Sequence, residues 1–126
     1  MIAIDKITLA VRDMDAMKAF YGALLEVDFD RMDMAGFHLY QARRDEVTLL
    51  LCPAELAGVD ASVNTVQPRL VLGDMERALQ RALAHGGTLL SAPALVEGRL
   101  QASLRDPDNN SLELSAPAGD TPFENR

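Results

Sequence analysis

Positive charge is scarce in this chain: 12 lysines and arginines stand against 19 aspartates and glutamates, a net charge of −7 over 126 residues. That balance excludes a binder of nucleic-acid phosphates, which needs a basic patch, and it favours solubility. Cysteine is nearly absent too. Cys52 alone cannot form an intrachain disulfide, and its place in an apolar run reads as a small buried hydrophobe. No apolar run is long enough to span a bilayer. Met1-Ile2-Ala3-Ile4-Asp5 has no basic start with an apolar segment behind it, so a cytoplasmic location is expected. Also missing are Gly-x-Gly-x-x-Gly, a phosphate-cradling loop, a nucleophile elbow and paired-cysteine metal spacing. What remains, 48% hydrophobic and 25% charged, suits one compact soluble domain with a real core.

The patterning then divides the chain. Ile7, Leu9 and Val11 alternate with Lys6, Thr8 and Ala10, predicting a strand with one apolar face. Asp13 is the expected N-cap of a helix whose stripe is Met14, Met17, Phe20, Tyr21, Leu24 and Leu25. Val27 to Met32 alternates again, Gly36 turns the chain, and strands follow over Phe37–Gln41 and Val47–Cys52. Residues 53–65 break the pattern and read as a connector. Leu70 and Leu72 then open a second strand, Asp74 caps a second helix, and Gly86-Gly87 stops it with His85 in the last turn. A short strand over Thr88–Ser91 and a loop over Pro93–Gly98 are expected next. Asp106-Pro107-Asp108-Asn109-Asn110 is a dense turn signal between Leu100–Arg105 and Ser111–Ser115. In that hairpin Leu112 and Leu114 take the buried face, and Glu113 the other. Its Asp-x-Asp-x-Asn run lacks the glycine and bidentate glutamate of a calcium loop, and reads as a turn.

Val11-Arg12-Asp13-Met14-Asp15 and Leu72-Gly73-Asp74-Met75-Glu76 occupy equivalent places, so the chain is an internal repeat of two strand-helix-three-strand modules. One domain over residues 1–116 is expected, with modules at about 2–52 and 66–115 and a frayed tail over 117–126. Ile7-x-Leu9-x-Val11-x-Asp13-Met14-Asp15, Phe20-Tyr21, Leu24-Leu25, Gly86-Gly87 and Asp106-Pro107-Asp108-Asn109 leading to Leu112-Glu113-Leu114 carry a resemblance. Together they resemble the vicinal oxygen chelate superfamily of glyoxalases, bleomycin-resistance proteins and extradiol dioxygenases. The resemblance implies an α+β fold of two βαβββ modules, their curved mixed sheets forming a cup with helices outside. It also implies completion of the cup by pairing modules across a homodimer.

Metal-dependent members of that superfamily put four ligands into the cup. Here those positions fall on Lys6, Leu50, Gln67 and Glu113, of which only Glu113 is a strong donor. No metal site and no cofactor are therefore expected, beyond a weakly held divalent ion. His38 and His85 do not supply the missing donors. Lys6 could pair with Glu113 across the modules in place of the metal, or reach solvent with Glu113 left as a rim charge. Thr8 and Arg69 share those faces. Arg69 could clamp an anion or make a surface salt bridge, and Tyr40 could stack on a ligand or pack within its strand. The reading is a metal-independent protein of bleomycin-resistance type that binds a small organic molecule through Lys6, Thr8, Leu50, Gln67, Arg69 and Glu113, with neither nucleic acid nor membrane as partner. The alternative is a glyoxalase-like lyase or isomerase, or a dioxygenase-like enzyme, using Glu113 and Lys6 for acid-base work.

Overall fold

The computed structural model describes residues 1–59 and 66–119. Module 1 runs β1 (Lys6–Val11), α1 (Met14–Leu25), β2 (Asp30–Met34), β3 (Phe37–Arg44) and β4 (Val47–Pro53), followed by a single turn of helix, α2 (Ala54–Ala57). Module 2 repeats the order with β5 (Arg69–Val71), α3 (Met75–Ala84), β6 (Thr88–Val96), β7 (Arg99–Arg105) and β8 (Ser111–Pro117). Each module makes its own four-stranded mixed sheet, ordered β1-β4-β3-β2 and β5-β8-β7-β6. The first strand of each module lies parallel to the last, and the remaining pairs are antiparallel. The repeat and the α+β architecture are those the sequence implied.

Both helices start where their aspartates stand. Asp13 accepts from the Ala16 amide and Asp74 from the Arg77 amide, each at 3.1 Å, filling one of the open donors of a first helical turn. The apolar stripes of α1 and α3 close with the helix-facing sides of both sheets on one core. Phe20, Met17, Leu51, Leu100, Leu104, Leu112 and Leu114 are fully buried in it. Gly87 shows how tightly the modules meet: a Cβ there would lie 2.7 Å from the Phe20 ring and 2.8 Å from the Ala82 carbonyl oxygen.

The β7–β8 turn is the latch between the modules. Asp106, 2% exposed, accepts from the Tyr21 hydroxyl at 2.7 Å, from the Asp108 and Asn110 amides at 2.9 and 3.0 Å, and from the Asn110 side chain at 2.9 Å. Asp108 reaches the other end of α1, accepting from the Arg12 and Asp13 amides, while the Arg12 guanidinium donates to its carbonyl oxygen. Burial first, then the Asp106 carboxylate, push the Tyr21 phenol well above its ordinary value, so it stays a donor.

Three expectations are corrected. The strand expected over Val27–Met32 is Asp30–Met34, because Glu26 takes a left-handed conformation at the end of α1 and the Val27 amide folds back onto the Gly22 carbonyl. The loop expected over Pro93–Gly98 is mostly strand, since β6 continues through Val96 with two register shifts. Proline is tolerated there because β6 is an edge strand, and an irregular one. The tail begins later than expected: Pro117 still belongs to β8, opposite Arg99, with Ala116 buried before it. Within the expected connector lie α2 and residues 60–65, the latter outside the described residues, as are 120–126 of the tail.

Candidate functional site

Strand alternation leaves each sheet one face turned away from the helices. On β1, Ile7, Leu9 and Val11 pack into the core, whereas Lys6 and Thr8 are exposed. Ladder partners share a face, so Thr8 stands beside Leu50 of β4, which stands beside Gln41 of β3. Leu50 joins Leu39 and Cys52 in a small separate apolar cluster, with Met32, Phe37 and Leu56 against it. Cys52 is thus a packed hydrophobe, as expected. The open face of this sheet has a greasy floor and a polar end at Lys6, Thr48 and Arg43.

The open face of the other sheet is polar. Arg69 of β5 stands opposite Glu113 of β8, which stands opposite Ser103 of β7, which stands opposite Ser91 of β6. The four make one row across four strands. Arg69 Nε lies 2.5 Å from Glu113 Oε1 and the two serine hydroxyls are hydrogen-bonded at 2.5 Å. The Arg69 contact is an ion pair by distance but lacks hydrogen-bond alignment, so the buried Oε1 has no hydrogen-bond donor. Glu113 is 23% exposed and Arg69 56%. Farther along, Arg99 donates to the buried Ser115 hydroxyl at 2.8 Å.

The structure therefore brings together some of the candidates and separates others. Thr8 and Leu50 are neighbours on one sheet; Arg69 and Glu113 are neighbours on the other. Gln67 is exposed just before β5. Within the chain the Lys6–Glu113 pair is not formed. Lys6 belongs to the other sheet and stands beside Thr48, while Arg69, directly across the ladder, takes Glu113. Ser103 and Ser91 join the row through register alone, with no sequence signal beyond the shared parity of Gln101, Ser103 and Arg105 along β7. His38 binds the exposed Asp33 at 2.6 Å, and that hydrogen bond holds the Asp33 carboxyl below its ordinary range. His85 caps α3 through the Arg81 carbonyl. Tyr40 lies under the Lys18 ammonium, which sits 3.8 Å from the ring centroid on the helix side.

Residues 5–115 match the glyoxalase-like domain family profile. The chain belongs to this family. The resemblance drawn from the sequence is borne out. A glyoxalase-related enzyme from Fulvimarina pelagi is 17% identical with a TM-score of 0.75, over 92% of this chain and 88% of that one. A glyoxalase/bleomycin resistance protein from Albidiferax ferrireducens T118 is 21% identical with a TM-score of 0.72, over 90% and 97%. TnmS3, an antibiotic binding protein from Streptomyces sp. CB03234, is 19% identical with a TM-score of 0.71, over 94% and 98%. At these identities the likeness establishes the fold of this glyoxalase-like domain. No curated protein sequence matches it.

The divalent ion that metal-dependent relatives hold can be tested against these side chains. Lys6 and Leu50 offer no donor, Gln67 a weak amide oxygen, and the Glu113 carboxylate is already in contact with a guanidinium. Among the described residues no group of three or more His, Cys, Asp or Glu is placed to hold a metal. The donor set of the glyoxalase-like cup does not fit the ion. Nor is any described helix long and apolar enough to cross a membrane.

Proposed function

We propose that this glyoxalase-like domain is a metal-independent binding protein for a small organic molecule, held on the open sheet faces. The observation that carries the reading is the Arg69–Glu113 contact at 2.5 Å. It puts a guanidinium beside the one carboxylate among the family's ligand positions, so the charge that relatives neutralise with an ion is neutralised here by the chain itself. Such a pair still offers the free guanidinium nitrogens as donors and the second carboxylate oxygen as an acceptor. Ser103 and Ser91 extend that polar row, and the Leu39, Leu50 and Cys52 floor of the other sheet suits an apolar ligand body. Lys6, Thr8 and Gln67 serve as peripheral polar contacts. The cup is completed by pairing module 1 of one copy with module 2 of another, so the working form is a cytoplasmic homodimer. TnmS3, which shares the fold, is named an antibiotic binding protein, so a binding role has a precedent on this scaffold.

A thermal-shift screen against small organic acids, thiol conjugates and antibiotics, with and without chelator, tests the reading. The expected result is stabilisation by one ligand class that survives chelator and disappears in Arg69→Gln. Elemental analysis with near-stoichiometric nickel, zinc or iron, or turnover of a thiol conjugate once metal is added, would favour the lyase instead and sink the proposal.

A further inference from the structure

Charge is sorted by face in this acidic chain. Ladder partners share a face, so the open faces carry Lys6 and Arg43 on one sheet and Arg69, Arg99 and Arg105 on the other. Against these five cations the strands set two acids, Asp30 and Glu113. The chain as a whole runs the other way, at −7. Glu113 is already in contact with Arg69, and Asp30 stands on the edge strand β2, beyond Gln41.

The two cations of the first sheet are the uncommitted ones. Lys6 and Arg43 are ladder partners of Thr48 from either side, so the three form one row. Both long side chains are exposed, and neither has a salt-bridge or hydrogen-bond partner among the described residues. Asp45, next to them in sequence, lies against Arg44 instead. Neighbouring strands are about 4.8 Å apart, so the row spans roughly 10 Å, which two flexible side chains of this length can close over one charged group. The repeat keeps the feature. Arg105 stands opposite Ser111 in module 2 as Arg43 stands opposite Thr48 in module 1. Pairing a module 1 face with a module 2 face then sets cations against cations, and a bound anion relieves that repulsion.

We propose that the ligand of the open-face cup is an organic anion whose charged group sits on the Lys6–Thr48–Arg43 row. The inference rests on the binding reading above and gives its ligand a sign and an anchor. It excludes a cationic ligand, although the net charge of the chain alone would attract one.

The test titrates the full chain with three probes of similar size, followed by amide NMR at about pH 8, where a phosphate ester is mainly a dianion. The probes are phenyl phosphate, benzyl alcohol and benzyltrimethylammonium. Phenyl phosphate is expected to bind saturably and to move the amide signals of Lys6, Arg43 and Thr48. The alcohol and the ammonium should bind at least about tenfold more weakly, the worth of one charge-assisted hydrogen bond. Lys6→Gln/Arg43→Gln should lose at least as much affinity for phenyl phosphate. Lys18→Gln/Arg31→Gln removes the same charge from the Tyr40 side of the sheet and should bind it as the wild type does. Equal binding of the ammonium or the alcohol on the open faces overturns the anion and leaves the binding reading standing. Phenyl phosphate shifts that never saturate or that lie away from the open faces overturn it too, as does wild-type affinity in Lys6→Gln/Arg43→Gln. Should that variant fail to fold, Lys6→Gln alone decides. A chain that takes none of the three probes, and no compound of the thermal-shift screen, sinks both readings.

Discussion

Asp106 and Glu113 belong to the same β7–β8 hairpin, and both have carboxylate oxygens out of water, yet they are treated in opposite ways. Every oxygen of Asp106 is met by aligned donors, from its own turn and from α1 of the other module. Glu113 has a cation close by and a buried oxygen with no aligned donor. A carboxylate with complete hydrogen bonding is a structural joint; one that is neutralised but under-bonded keeps acceptor capacity for something else. Position along the hairpin makes the difference, because its turn is the part that accepts hydrogen bonds from α1 and the residues just before it.

Substitutions can break that contrast or sharpen it. Asp106→Ala strands the Tyr21 hydroxyl and two amides in the core, and should lower unfolding free energy by about 3–5 kcal/mol in urea denaturation. Tyr21→Phe removes one donor while Asn110 still serves the same oxygen, so about 1–2 kcal/mol is expected. It carries a pH signature as well. The folded-state value of Tyr21 is raised above the ordinary 10.0, so its contribution is complete below about pH 10 and falls as pH rises beyond, when only the unfolded chain ionises. Alkaline melts of the wild type should show that decline, and those of Tyr21→Phe should not.

Glu113→Gln should change stability by less than about 1 kcal/mol, since its partner Arg69 is mostly in solvent, while abolishing the ligand-induced thermal shift. A loss as large as that of Asp106→Ala would make Glu113 another joint and end the contrast. The smallest effect is at the surface. His38→Ala should return the Asp33 carboxyl toward its ordinary range, followed by carbon-13 NMR through a pH titration, without moving the melting temperature.

What was legible in the sequence was local. Asp13 and Asp74 cap helices through residues three places away, and the alternation around Glu113 gave its face correctly. What was not legible was register between strands. Lys6 and Arg69 are both cations on first strands, and only the ladder shows that Arg69 is the one opposite Glu113. The two acids of the turn were readable as turn residues but not as acceptors for Tyr21 and Arg12, which lie in the other module. Pro93 suggested a loop because proline interrupts sheets, and an edge strand is where that inference fails.

The bond from the Arg12 amide to Asp108 joins positions 96 residues apart. A growing polypeptide therefore releases its first helix from the ribosome long before the acceptors for that helix exist. Until the β7–β8 hairpin emerges, the stripe of α1 rests on its own module's β1 and β4 but lacks the part of the core that Leu100, Leu104, Leu112 and Leu114 supply, and module 1 is a nascent piece with a greasy flank. The β7–β8 hairpin must be made before this core can close, so a chain cut after residue 59 should aggregate, not persist as half a domain.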